Sequence, residues 1–464
     1  MKLRLMLAAV LLVSISLIGQ QPPEIPFQVT VAAARNQPAP GLQSFAYAVD
    51  GSRWLLVGGR TNGFHRTSTR EATFPTAQSN EDLYVVDVAA NRAWKAPVPP
   101  AFLPWLRSTN MEYYQDGTVL YLIGGYGSNC DDDKPECYQT FPRLTAIRVP
   151  ELVNAIVAGQ KDVSQYIVSI TDDRMKVTGG ELLKLRNNFY LVFGQDFEGV
   201  YKGGITGDYT DAVRRFKINF NGTSLSISEY QGFKDGGGVD SQYHRRDLNV
   251  AEAIRATPGL PAGLTALGGV FTKTAGAWTN PVYIDENAAG QTTITVDTSF
   301  SQKMSQYTCG RITMFSSRSS RMYTTLLGGI SLYYYDKNGN LIPSTLENFM
   351  PFINTITTLA RLSQGRTVEW AQPPSLALPG LLGANAVFIP NPAIPRISGA
   401  HEVLNFDALP IGTTLVGYLY GGIHAMGPQI SFVNPSYSNN TIYGVFVRKT
   451  GTTEKTGAPT KKPK

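Results

Sequence analysis

The chain of 464 residues holds only four histidines: His65, His244, His401 and His424. Two of them stand beside other chemically capable groups. His244 precedes Arg245 and Arg246, and His401 precedes Glu402. Histidine titrates near neutral pH and arginine offers a rigid fork of donors, so the combination suits anionic or hydroxyl-rich ligands. An acid and a base facing one pocket can also move a proton. His401, Glu402 and His244 are the candidate catalytic residues for such work, with arginines gripping a carboxylate.

A second group lies in CDDDKPEC, where Cys130 and Cys137 flank Asp131, Asp132, Asp133 and Glu136. In an oxidising compartment the two cysteines can close a local disulfide. So short a loop loses little chain entropy, and the bond would chiefly stiffen it. Carboxylate oxygens suit calcium, but no known calcium-loop spacing is present, and a solvated acidic turn accounts for them. Cys309 is left over and reads as a buried, small, apolar residue. No metal and no cofactor is expected.

Charged residues make up 16% of the chain, against roughly 25% in globular proteins, while Gly (45), Tyr (23) and Phe (21) are abundant. Many short strands joined by turns give that balance. The net charge of +6 is mild and forms no basic stripe, which excludes a nucleic-acid partner. Part of it sits in residues 450–464, a Lys-, Thr-, Gly- and Pro-rich segment expected to be a disordered basic tail. At the other end, Lys2 and Arg4 precede an apolar run from Leu5 to Ile18, followed at once by Gln20, Gln21 and Pro22. The run is too short to span a bilayer comfortably. Residues 1–20 therefore read as a signal peptide, implying a secreted, periplasmic or cell-surface protein with no membrane span after cleavage.

The elements that would position these groups emerge from an internal repeat. A β-branched and aromatic run ending in Gly-Gly occurs as SRWLLVGGR, TVLYLIGGY, LTALGGVFT, YTTLLGGIS and VGYLYGGIH. A sixth copy, NFYLVFGQD, carries Gln195 where the second glycine is expected. Successive copies stand about 60 to 93 residues apart, against roughly 50 for a compact repeat of this kind. A short alternating run precedes each pair, from SFAYAVD in the first unit to HEVLNFD in the last. Another follows it, and five units carry a fourth. Strand-period alternation in groups of four describes propeller blades. The last unit lacks its fourth strand, and FQVTVAA (27–33) can supply it, closing the ring and removing an open edge. The predicted fold is all-β: one six-bladed β-propeller over residues 21–449, four antiparallel strands per blade, closed by the N-terminal strand.

The unit resembles the kelch repeat: a Gly pair ending the second strand, a third strand with Tyr and Asp, and Trp on the fourth. Gly58, Gly59, Tyr84, Asp87 and Trp94 fit best, whereas units two to four lack the Trp. The resemblance spans residues 27–449 and implies fold, not function. Strand alternation puts the Gly-pair loops and the segments leading into inner strands on one face. Those loops run about 11 to 23 residues, far beyond a hairpin turn. The long-loop face should thus carry the site. Arg60, His65, Tyr126, Asp196, Glu198 and His424 follow Gly pairs. Arg107, Arg245, Arg246, Tyr307 and Arg311 lead into inner strands, as do His244, His401 and Glu402. The leading expectation is a monomeric binding module for a glycan or protein partner. The alternative is a sugar epimerase or mutarotase, since N-acetylneuraminate epimerase is similar in being an exported six-bladed kelch protein. Kelch-type copper oxidases pair histidines with tyrosines and a Tyr–Cys crosslink. Tyr243, His244, Tyr307 and Cys309 offer the types without a second adjacent histidine.

Overall fold

The computed structural model describes Pro22 and residues 24–34, 38–65, 73–201, 207–255, 262–345, 349–431 and 433–450. The expected signal peptide, and the basic tail beyond Thr450, lie outside the described residues. Among those described, no helix is long and apolar enough to cross a membrane.

Six antiparallel sheets form a six-bladed β-propeller. Their inner strands are Ala46–Asp50, Glu112–Asp116, Glu181–Leu185, Asn249–Ala253, Gly310–Ser316 and Ala386–Pro390. Apolar residues on both strand faces pack into the wedges between successive blades. Leu55 and Val85 meet Leu120 and Ile147 between blades one and two, for example. Leu183 and Tyr190 meet Val250 and Ile284 between blades three and four. The core is therefore a ring of such wedges. A helix the repeat did not announce, Val149–Val157, buries Leu152, Val153 and Ile156 against blades one and two.

Closure occurs as the repeat requires. Phe27–Ala33 pairs antiparallel with Tyr443–Lys449 from Phe27↔Lys449 to Ala33↔Tyr443. Gln372 ties this strand to blade five, accepting from the Val29 N–H at 2.6 Å and donating to the Val29 carbonyl at 2.8 Å.

Each second strand ends in two consecutive left-handed residues. In blade three these are Phe193 (φ 57°) and Gly194 (φ 87°). The repeat there is offset by one: Phe193 replaces the first glycine, and Gln195 is the residue after the pair. The left-handed turn lets the chain pass close to the next blade. A Cβ on Gly124 (φ 65°) would stand 1.9 Å from the Val177 carbonyl oxygen. Gly124→Ala is expected to lower stability by about 3 kcal/mol or more, combining left-handed strain with a backbone clash. A urea titration followed by circular dichroism would measure it.

One inner strand departs from the sequence reading. HEVLNFD is not the first strand of blade six; Ala386–Pro390 is. Residues 391–411 instead form a strap between the first and second strands of that blade. Leu404 and Asn405 pair parallel with Met314 and Phe315 at the axial edge of blade five, and Leu404, Phe406 and Leu409 are buried there. The alternation in HEVLNFD reflects that packing. A loop between first and second strands lies on the short-hairpin face, so His401 and Glu402 leave the face predicted for them.

Candidate functional site

The residues leading into the inner strands are linked around the axis by backbone hydrogen bonds. Asn110 donates to Ser44 (3.2 Å), Gly179 to Asn110 (3.2 Å), Asp247 to Gly179 (2.6 Å), Thr308 to Asp247 (3.0 Å) and Asn385 to Thr308 (2.9 Å). Gln43 spans the remaining gap, its side-chain oxygen accepting from Asn385 Nδ2 at 3.2 Å and Ser44 Oγ at 2.5 Å. Ser44, Asn110, Gly179, Asp247 and Asn385 all have positive φ, a conformation that Gly, Asn and Asp adopt at little cost. This waist divides the channel, and Ser44, Asn110, Gly179, Asp247 and Asn385 line a cavity on either side of it.

The cavity on the long-loop face measures about 320 Å³. Its walls are aromatic: Phe64, His65, Phe74, Tyr126, Phe197, Tyr201, Phe271, Tyr307 and Phe352. Its floor is polar, with Gln195, Arg246, Asp247, Thr178, Asn110 and Asn385. Arg246 is 2% exposed. It donates to Gln195 Oε1 at 2.6 Å and Tyr201 Oη at 2.7 Å, and Nε lies 3.3 Å from Asp247. The rings of Tyr201, Tyr209 and Phe271 surround its guanidinium. Burial opposes the charge, but Tyr201, Tyr209 and Asp247 outweigh it and hold the Arg246 pKa above its ordinary value. Burial raises the Asp247 carboxyl, with Arg246 pulling it back.

Of the residues singled out in the sequence, this cavity collects His65, Tyr126, Arg246 and Tyr307. Others on the same face serve the scaffold. Arg245, fully buried, donates to the carbonyls of Gln242, Gly268 and Asn280. Arg60 reaches Asn62, Pro75 and Gln78. Arg107 pairs with Glu81 at 2.8 Å and holds the Cys130 carbonyl at 2.6 Å. Asp196 and Glu198 both meet Lys176. His244 pairs with Asp211 at 2.9 Å and stacks on Tyr209, and His424 meets Tyr437 Oη at 2.6 Å; neither histidine lines either of the two cavities beside the waist.

Cys130 and Cys137 are joined by a disulfide with Cα atoms 5.8 Å apart. The acidic loop between them is tied down: Asp131 to Arg107, Asp132 to Lys134, and Asp133 to Thr76 and Tyr138. Cys309 is free and buried against Leu267, Leu326 and Leu359. Burial pushes its thiol up to about 12.

The chamber on the hairpin face gathers the remaining candidates. Arg311, His401 and Glu402 line it together with Glu112, Glu181, Tyr47, Tyr113 and Tyr114. His401, Glu402 and Arg311 come together here, on the opposite side of the waist from the one expected, while His244, set with the first two as a candidate catalytic residue, is not among the lining residues. Asp116, at the hairpin end of the inner strand Glu112–Asp116, lies on this same face and pairs with Lys184. The strap is pinned by Glu252, which accepts from the His401 and Glu402 N–H groups at 2.7 Å each. Burial lifts Glu252 to about 7 despite those two bonds.

Sequence reasoning missed the aromatic wall and the buried acids. Phe64, Phe74, Phe197, Tyr201 and Phe271 all fall in loops after Gly pairs, where large aromatics have no blade core to fill. That was the available signal. Glu112, Glu181 and Glu252 stand within inner strands, and acids at such positions point to a polar channel lining.

No family model matches the chain and no curated protein matches it. Among solved structures, it is similar to one titled "Structure of YjhT", with 11% sequence identity and a TM-score of 0.45, covering 88% of this chain and 99% of that one. A likeness at that level carries no inference about the site. The six-bladed architecture rests on this chain's own strand pairing.

Proposed function

We propose that the protein is an exported, divergent kelch-type propeller that binds a carbohydrate in the long-loop cavity. Two left-handed residues at the end of the second strand in all six blades support the kelch kinship. The Cys130–Cys137 disulfide suits an oxidising, extracytoplasmic compartment.

One observation carries the binding reading: a cavity with aromatic walls and a polar floor. Sugars present apolar C–H faces to aromatic rings and hydroxyls to fixed donors and acceptors. Arg246, Gln195, Asp247 and Asn110 supply those donors and acceptors, already positioned by the waist, which lowers the cost of ordering on binding. The volume lies at the small end for ligand pockets and suits one or two sugar rings. Simple binding is favoured over the sugar-epimerase reading because His244 lines neither of the two cavities, while His401 and Glu402 line the other chamber.

Phe64→Ala and Phe74→Ala should each weaken glycan affinity about tenfold, the value of a lost stacking contact of roughly 1.5 kcal/mol. Asp116→Ala on the other face should leave it unchanged. Titration calorimetry with the sugar selected from a glycan array would check this. Equal affinities for all four proteins would reject the cavity as the site.

A further inference from the structure

The hairpin-face chamber is the other place where the molecule concentrates chemistry, and carbohydrate binding leaves it unused. It encloses about 440 Å³. Its lining carboxylates are Glu112, Glu181, Asp247 and Glu402, against two arginines, Arg311 and Arg396. Burial and the nearby Lys184 hold the His401 imidazole below its ordinary pKa, so it adds little positive charge near neutrality. Arg311 is already engaged: its two terminal nitrogens lie 2.9 and 3.4 Å from the Glu181 oxygens. Glu402 sees the same guanidinium only at 3.8 Å, and its side chain is 37% exposed. One inner-strand cation thus answers two carboxylates.

The other walls are aromatic. Tyr47 and Tyr113 meet edge to face with ring centres 5.5 Å apart, and Phe388 stands beside them. Tyr114 also lines the chamber, is 6% exposed, and its hydroxyl has no hydrogen-bond partner among the described residues. A buried hydroxyl left so is costly unless something comes to meet it. The loosely paired, part-exposed Glu402 carboxylate beside electron-rich ring faces is an arrangement that attracts organic cations.

We propose that this chamber binds a small organic cation, an alkylated ammonium whose charge is met by Glu402 and Glu181 and whose carbon groups rest on Tyr47 and Tyr113. An anionic ligand drawn to Arg311 would have to displace Glu181 and then face Glu402; Arg396 on the strap is the other lining arginine. The waist separates the chamber from the carbohydrate cavity; the two share waist residues such as Asp247 and Asn110, but Phe74 lines only the carbohydrate cavity and Glu181 and Glu402 only the chamber.

Titration gives the binding a sign. Burial raises the Glu181 carboxyl to about 7, with Arg311 lowering it and Glu402 raising it. The other groups that face this carboxylate and Arg311 are Glu112 and Tyr113 from blade two, Tyr47 from blade one, Cys309 from the lead into blade five, and Arg396 from the strap. Burial raises the Glu112 carboxyl well above its ordinary value, and burial raises both tyrosine hydroxyls. Glu181 is therefore the lining group that changes charge near neutrality; Glu252, lifted to about 7 as well, is bonded to the strap backbone and lines neither cavity. Above pH 7 it is ionised and draws the cation in; below, it must release a proton first. Affinity should rise as pH increases through that range.

The test is titration calorimetry of the full chain with tetramethylammonium and n-butylammonium chloride, and with sodium acetate as the anionic comparison, below and above pH 7. The expected result is cation binding that tightens with pH, weakens at least about tenfold in Glu402→Gln, and loses its pH dependence in Glu181→Gln. Glu402 makes no side-chain hydrogen bond that the fold relies on, and thermal melting would verify that Glu402→Gln is folded. Phe74→Ala, across the waist, should bind the cation normally, so failure of this proposal is distinguishable from failure of the carbohydrate site. Absence of binding by both cations, tighter binding of acetate, pH-independent affinity, or an unaffected Glu402→Gln would each overturn it.

Discussion

Phe27→Ala is expected to destabilise the protein by about 3–5 kcal/mol, the range for emptying a buried phenylalanine site. Phe27 is fully buried. Its ring meets Tyr323 edge to face at 5.2 Å and Phe406 at 5.5 Å. Those contacts join the closing strand, blade five and the strap in one cluster. A cavity there is hard to collapse, since strands from both chain ends and the strap would have to move together. The loss should appear in a denaturant titration as a lowered midpoint. If the slope with denaturant also falls, the ring is opening locally before the rest unfolds, because less surface is exposed in the main transition. An unchanged midpoint would mean that the N-terminal strand does not close the propeller in solution.

The second large effect belongs to Arg246. Arg246→Met should cost about 3 kcal/mol of stability, because it removes the donors that Gln195 and Tyr201 accept from and leaves the half-buried Asp247 without its cation. Arg246→Lys separates function from stability. It keeps the charge next to Asp247, but an ammonium cannot reproduce the planar fork that spans Gln195, Tyr201 and Asp247. We expect the lysine variant to melt within a few degrees of the parent and to bind the carbohydrate at least about a hundredfold more weakly, a loss of roughly 2.7 kcal/mol. Parallel melting curves and calorimetric titrations would show both. If Arg246→Lys binds as tightly as the parent, the floor of the cavity does not contact the ligand.

Much of the fold was legible because a blade is a local object. Four short alternating runs with a left-handed turn after the second leave their mark within each unit, and the unpaired last blade pointed to Phe27–Ala33 as its partner. Two features that are not local went astray. Phe193 occupies a left-handed position that glycine favours, and its fully buried side chain explains why packing outweighs that strain; the offset of the third repeat followed from it. HEVLNFD alternates like a strand because Leu404 and Phe406 pack beneath blade five, a neighbour distant in sequence.

The candidate site was legible in part for the same reason. Alternation correctly put His65, Tyr126, Arg246 and Tyr307 on the long-loop face. It could not say which side chains turn inward. Arg245 and Arg246 are adjacent, yet one is consumed by backbone carbonyls between blades and the other forms the cavity floor. His401, Glu402 and Arg311 do converge, but without His244, which the sequence reading sets with the first two. The strap carries the first two to the far side of the waist, where Glu181 completes the cluster.

The most direct measurement is saturation-transfer NMR on the full chain with a panel of mono- and disaccharides, run in parallel on the parent, Phe74→Ala and Glu402→Gln. The account predicts transfer to sugar C–H protons in the parent and in Glu402→Gln, with the signal lost or strongly reduced in Phe74→Ala. Transfer that survives in Phe74→Ala and disappears in Glu402→Gln would put carbohydrate in the hairpin-face chamber, and no transfer to any sugar would contradict carbohydrate binding altogether.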